Sequence, residues 1–223
     1  RAPGSDQMTA RALRRNLSGD ADAFPQDVME LMDLMSDAPR SAVRAVPGQG
    51  LQVPIWILGS SLFGAQLAAH LGLPFAFASH FAPQMMMQAI EIYRSTFKPS
   101  ARLAKPYVML GFSVFAADTD AQAQLLASSQ QQAFVNLRLG TPAQLPPPRA
   151  NYLEEIGPQA RALLESALAC SAIGTPSTVL AQLRAFIERT GADELMITSN
   201  IFDHTARLRS YELTAGVHQS LSI

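Results

Sequence analysis

Gly59, Ser60 and Ser61, with Gly64 three residues further on, are the residues whose type and spacing most readily suit a chemical task. Two hydroxyls at the start of a helix attract an anion, above all a phosphate. The unpaired N–H groups of a first helical turn point outward, the helix dipole is positive there, and glycine lets a ligand approach the main chain. The same residues serve a plainer purpose, with Ser61 as an N-cap and the glycines as packing positions, and spacing alone favours that use over a phosphate site. Ser79 and His80 form a second candidate pair: His80 can hold a proton or touch a bound ring, or it can be a neutral imidazole satisfied by its own loop. Thr198, Ser199 and Asn200 could meet a ligand from a later strand end. Asp203 and His204 beside Arg207 have the makings of an acid–base set, but Asp203 at a helix start with Arg207 four residues on is the pattern of a cap and an ion pair, which is the expectation adopted. The four histidines, His70, His80, His204 and His218, are not at metal-ligand spacing, so no metal is expected. No HExxH, paired cysteine, GxGxxG, Walker loop or GxSxG is present.

The elements that must position these residues alternate. Val53 to Leu58 is a short apolar run suited to a strand buried on both faces, Leu62 to Leu71 has helical spacing closed by Gly72, and Leu73 to Ser79 is a second strand. Strand, helix and strand in so few residues make a right-handed crossover between parallel strands. The serine turn and His80 therefore lie at the carboxyl ends of neighbouring strands. Pro83 to Phe97 reads as a helix with Met86, Ile90, Tyr93 and Phe97 along one stripe, and Tyr107 to Ala116 as a third strand whose Gly111 suggests a bulge or a close backbone approach. Asp118 to Asp120 are expected to provide capping oxygens and acidic first-turn charge for the helix Ala121 to Leu139. Gly140 to Arg149 is a proline-rich surface connector, and Pro158 to Cys170 a further helix. Thr175 as N-cap, Pro176 at the first position and Gly191 as terminator frame the next helix. Glu194 to Ser199 is the fourth strand; Leu208, Tyr211 and Leu213 anchor the last helix, with a frayed tail after Gly216. Upstream, Met8 to Leu17 and Phe24 to Met35 read as helices, the second packing through Val28, Leu31, Met32 and Met35, and Ala45 to Gln52 as a loop or weak hairpin.

With 223 residues, 48% hydrophobic and 16% charged, and a formal net charge of −1, the chain suits one soluble domain spanning 1–223. Near-neutral charge argues against nucleic acid as a partner. The single cysteine, Cys170, excludes an intrachain disulfide and suits a reducing cytoplasm; in the helical pattern ARALLESALAC it reads as a buried structural thiol. Between Val53 and Arg94 only Glu91 is charged, yet Pro54, Gly59, Ser60, Ser61, Gln66, His70, Gly72 and Pro74 interrupt every stretch of the ~20 apolar residues that a membrane span needs.

Three blocks, RAPGSDQ at the start, PIWILGSSLFGAQLAAHLGLPFAFASHFAP in the middle and GADELMITSNIFDHTARLRSYEL near the end, together resemble the bacterial-luciferase-like family of flavin-dependent monooxygenases. The resemblance implies an α/β fold of the (β/α)8 TIM-barrel type, of which this chain corresponds to the second half, with about four parallel strands. It implies reduced FMN as cofactor, its phosphate held by Gly59, Ser60, Ser61 and Gly64 with help from Arg1, and O2 as co-substrate for oxygenation of a small organic molecule. Ser79, His80 and Asn200 become candidates for the flavin ring or the substrate. No catalytic residue is assigned, because the histidine known in luciferases belongs to the half that this chain does not match. The family further implies a flavin reductase that supplies reduced FMN, a homo-oligomer in the complete protein, and no nucleic-acid or membrane partner. A deazaflavin-dependent hydride transferase of the same superfamily and a non-catalytic flavin-binding module are the alternatives.

Overall fold

The computed structural model describes residues 23–40 and 42–221, which divide into two compact units, one ending at Ile55 and one beginning at Trp56. Arg1 and the helix expected over Met8 to Leu17 lie outside the described residues. In the first unit, α1 (Phe24–Leu34) starts with proline in its first turn, as a helix tolerates. Of the stripe expected to pack, Val28 is buried, Met32 and Met35 are half-buried, and Leu31 is 42% exposed. Gly50 and Gln52 both return an N–H to the carbonyl of Met35, which makes the segment after α1 a closed loop without strands.

The second unit is a parallel sheet with helices. Its elements are β1 (Ile57–Gly59), α2 (Leu62–Leu71), β2 (Phe75–Phe77), α3 (Met86–Thr96), β3 (Val108–Ala116), α4 (Asp120–Arg138), α5 (Tyr152–Glu155), α6 (Pro158–Ala167), β4 (Ser171–Gly174), α7 (Pro176–Thr190), β5 (Glu194–Thr198) and α8 (His204–His218). All pairings are parallel: β1 with β2, β2 with β3, and both β4 and β5 with β3. Met109 is in register with Ala76 and with Glu194, so β2 and β5 flank β3 on opposite edges; Ser113 is in register with Ser171 and with Thr198, so β4 shares the β2 edge. The nine-residue β3 thus carries two short strands end to end on one side.

That fifth strand, β4, is a departure from the expected four. Ser171 to Gly174 is too short to show alternation, and it sits between a helix and a strong helix start that absorb its residues into their own patterns. The 3₁₀ turn Leu168–Cys170 ends α6 just before it, so the helix expected to reach Cys170 stops at Ala167. The first strand also differs. It begins at Ile57 rather than Val53, and it is buried on one face only: Ile57 is 3% exposed and Leu58 69%.

Side chains alternate across the sheet. Phe75, Phe77, Val108, Leu110, Phe112 and Val114 are buried on the helix side, where Phe112 packs on Phe186 of α7 (ring centroids 4.5 Å apart) and Phe75 on Tyr93 of α3 (5.3 Å). Each such side chain contributes about 1.5–3 kcal/mol on leaving water. The opposite face carries Leu58, Ala76, Met109, Gly111, Ser113, Glu194, Met196 and Thr198, as the registers require. It is partly open, with Met196 51% exposed.

Helix ends depart from expectation where tertiary partners compete. Within Asp118 to Asp120, Thr119 caps α4, its hydroxyl accepting from the N–H of Gln122, and Asp120 is the acidic residue of the first turn, but Asp118 pairs with Arg209 of α8 (2.9 Å) and Asp120 also reaches the start of α7. Asp203 does cap α8, accepting from the N–H of Ala206 at 2.7 Å, but Arg207 donates to Nδ1 of His204 rather than to Asp203. The tail is held beyond Gly216, since α8 continues to His218 and Arg184 donates to the Ser220 carbonyl. The connector at Gly140 to Arg149 is tied down on α4: Gln132 donates to the Pro147 carbonyl, and the Arg149 N–H to Ser128 Oγ.

Candidate functional site

Parallel strands put all their carboxyl ends on one side, so Ser60–Ser61, Ser79–His80 and Ser199–Asn200 emerge at the same end of the sheet. Neighbouring strands are about 4.8 Å apart. The serine turn and His80 follow adjacent strands, whereas Asn200 is three strands away from the serine turn.

The serine turn is open. Ser61 occupies the N-cap of α2 in an extended conformation, makes no capping bond with its side chain, and is exposed, as is Ser60. The first turn of α2 contains no acidic residue. Three other helices in this unit have a side-chain oxygen at their start, Thr119 at α4, Asp203 at α8 and Asp120 on the N–H of Thr175 at α7, whereas α3, α5 and α6 share with α2 the lack of a side-chain cap. The outward N–H groups of α2 are left available to an incoming anion. The glycines face one another behind this turn. A Cβ on Gly59 would come 3.9 Å from the Cα of Gly64, and one on Gly64 would touch Phe75 and Ile57 at 3.6 and 3.7 Å, so Gly64 is where α2 rests on the ends of β1 and β2.

His80 lies across the open face of the sheet. A Cβ on Gly111 would stand 2.0 Å from its Nδ1 and 2.8 Å from its Cε1, so the imidazole occupies the space that any other residue at 111 would fill. Sequence reading of Gly111 as a close approach has its object here: the approaching group is a side chain, and β3 runs through without a bulge. Ser79 is fully buried and its Oγ donates to the Gly111 carbonyl (2.7 Å), which fixes the His80 backbone against β3. His80 is half-buried, its Nδ1 has no hydrogen-bond partner, and burial lowers its pKa below the ordinary histidine value, so the ring is neutral near pH 7.

Beyond Gly111, Ser113 Oγ and Thr198 Oγ1 hydrogen-bond across β3 and β5 at 3.2 Å. Ser113 was the signal missed, a hydroxyl inside the otherwise apolar run VMLGFSVFA. Ser199 is committed to structure: its N–H meets the Tyr211 hydroxyl and its Oγ meets Ser210, which also accepts from the N–H of Ala116. Asn200 is exposed at the rim. Cys170 is buried beside Met86, with sulfurs 3.8 Å apart, and desolvation pushes its thiol up to about 11. Among the described residues no group of His, Cys, Asp and Glu could hold a metal ion, and no helix is long and apolar enough to cross a membrane. An apolar groove of about 490 Å³ lies on the helix side of β5, between Leu183, Ile187, Leu195, Ile197 and Tyr211, and takes in none of the candidate residues.

The family profile of the luciferase-like monooxygenases matches residues 11–194. A protein of Escherichia coli K12 described as a luciferase-like monooxygenase is 52% identical over 222 residues, which cover 99% of this chain and 66% of that protein. The chain thus spans just under two-thirds of that relative's length. Among solved structures, apo-MsnO8 superposes with a TM-score of 0.80 at 27% identity, over 98% of this chain and 67% of its own. Two more distant structures share the fold alone. One is the oxygenating constituent of 3,6-diketocamphane monooxygenase of Pseudomonas putida in complex with FMN (TM-score 0.59, 15% identity, 94% and 67% covered). The other is the coenzyme F420-dependent tetrahydromethanopterin reductase of Methanopyrus kandleri (TM-score 0.58, 15% identity, 95% and 70% covered).

Proposed function

This chain belongs to the luciferase-like monooxygenase family, and from that membership we propose that the whole protein is a flavin-dependent monooxygenase using reduced FMN, O2 and a small organic substrate. The observation that carries the reading is the uncapped amino end of α2, with two exposed serines and no acidic side chain in its first turn. These residues fit a phosphate monoester. The amides of α2 and the hydroxyls of Ser60 and Ser61 would hold the phosphate, while Gly59 and Gly64 let helix and strand close up behind it; Arg1 is proposed as a further cationic contact.

When bound, reduced flavin supplies the two electrons and two protons with which O2 yields one oxygen atom to the substrate and one water. The chain's own contribution is anchoring and orientation. The face formed by Leu58, Ala76, Met109, Gly111 and Met196 offers a flat ring an apolar bed, with Glu194 at its amino end, and Ser79 holds His80 over it. Asn200, exposed at the rim, is proposed to meet substrate. A reductase delivering reduced FMN, a homo-oligomeric whole protein and a cytoplasmic setting belong to the same proposal.

Equilibrium dialysis of FMN and of riboflavin tests it. FMN binds about tenfold or more tightly than riboflavin if the serine turn grips the phosphate, a difference of about 1.4 kcal/mol. The Ser60→Glu/Ser61→Glu variant abolishes that preference while retaining riboflavin binding. Equal affinity for the two flavins in the unsubstituted protein overturns the phosphate site. Binding of a deazaflavin cofactor in preference to FMN moves the protein to the hydride-transfer branch.

A further inference from the structure

The open face of the sheet carries the imidazole of His80, whose chemistry the phosphate site does not use. Its seat is specific. A Cβ on Gly111 would stand 2.0 Å from Nδ1 of His80, nearer than to any other atom of the ring. In glycine a hydrogen takes the place of that carbon, so a Gly111 C–H is on the side of Nδ1. A lone pair on Nδ1 accepts that contact as a weak C–H hydrogen bond. A proton on Nδ1 would meet the glycine hydrogen and bury an unpaired N–H, the rarer kind of orphan group. No carboxylate or carbonyl bonds Nδ1, and its burial disfavours the doubly protonated ring. Of the two ring nitrogens, only Nδ1 is buried without a partner.

We propose that Gly111 and Ser79 hold His80 as a neutral imidazole protonated on Nε2, and that this N–H is a fixed donor to a carbonyl oxygen of the isoalloxazine ring. The ring carbonyl is the favoured acceptor because the groups level with His80 and beyond it are neutral: Gly111 and Met196 are partners in register, with the Ser113–Thr198 hydroxyl pair beyond, while the one carboxylate of this face among the described residues, Glu194 beside Met109, lies toward the amino end and accepts from the Tyr107 hydroxyl. Such a surface suits an aromatic edge with neutral acceptors and offers an anionic group no counter-ion. Gly111 is then a positioning residue, and His80 the one that touches the ligand. The inference rests on the reading of this end of the sheet as a flavin site.

Riboflavin is the probe, since it lacks the phosphate and its binding is independent of the serine turn. In ¹⁵N-labelled protein at pH 7.5 without ligand, the His80 signals are expected to report a protonated Nε2 and a bare Nδ1, and riboflavin is expected to shift the Nε2 proton. His80→Leu weakens riboflavin binding about fivefold to tenfold, whereas His80→Gln, whose amide N–H can stand in for Nε2–H, recovers most of it. Gly111→Ala, if it folds, displaces the ring and reproduces the loss. A proton found on Nδ1, or riboflavin affinity unchanged in His80→Leu, overturns this inference and leaves the phosphate site standing. Absence of riboflavin and FMN binding in the unsubstituted protein overturns both.

Discussion

The carboxylate of Asp120 accepts hydrogen bonds from the backbone N–H of Thr175 at 2.7 Å and from Thr178 Oγ1 at 3.2 Å, so the first turn of α4 supplies the anion at the amino end of α7. Gly174 makes this approach possible: it has φ +151°, and a Cβ there would lie 2.6 Å from the same carboxylate oxygen. The start of α7, unlike the serine turn, thus has a carboxylate seated beside it. Asp120→Ala is expected to lower stability by about 1 kcal/mol, the worth of a capping interaction, with Asp120→Asn losing less. Urea unfolding measures both; a midpoint unmoved by Asp120→Ala refutes the assignment.

Tyr93 ties α3 to the sheet. It is fully buried, its hydroxyl donates to the Leu73 carbonyl (2.9 Å) and accepts from the N–H of Tyr107 (3.1 Å), and its desolvation raises its pKa. Tyr93→Phe leaves both backbone groups unpaired, which costs about 1–3 kcal/mol. Thermal unfolding is the measurement, and a variant as stable as the parent would mean that water or a shifted backbone replaces the hydroxyl.

The parts of this fold that were legible in the sequence are those where local and tertiary preferences agree. Gly72 and Gly191 end their helices in the left-handed conformation (φ +61° and +60°) as their positions suggest. Met86, Ile90 and Tyr93 are buried along the expected stripe of α3. Residues that answer to distant partners were not legible. Nothing near Asp118 announces Arg209, ninety-one positions away, and nothing in SAIG distinguishes a strand from a loop until Ser113 to Ala116 of β3 is there to pair with it. Leu58 looks like core by composition, and its exposure follows from a face of the sheet that the described residues leave partly open. The site was legible in outline for the same reason: a strand–turn–helix motif fixes where Ser60 and Ser61 emerge. The seat of His80 needed Gly111, thirty-one residues later.

Cys170 is expected to be inert in the folded protein. A thiol moved from 9.0 to about 11 carries about a hundredth of the ordinary thiolate at a given pH, and the side chain is 1% exposed. Reaction with a disulfide reagent at pH 8 should therefore be at least about a hundredfold slower in buffer than in guanidinium chloride. Comparable rates in the two solvents would show that the packing of Cys170 against Met86 opens readily.

His80 gives the fold a pH dependence whose sign follows from burial. Its pKa lies below 6.5 in the folded chain and returns to about 6.5 on unfolding. Between the two values the unfolded chain holds more protons, so stability rises with pH through that window. The contribution is complete above about pH 6.5 and is lost as the pH falls through the folded value. Unfolding midpoints in urea should accordingly drop between pH 7.5 and pH 5.5 by more in the parent than in His80→Gln, which has nothing to protonate. Gly111→Ala separates the cause from the residue: with no room for the ring over β3, His80 moves into water, its pKa climbs toward 6.5, and the pH dependence flattens although the histidine is still present. Parallel profiles for the parent and both variants would show that the imidazole is hydrated where it lies and that Gly111 does not hold it.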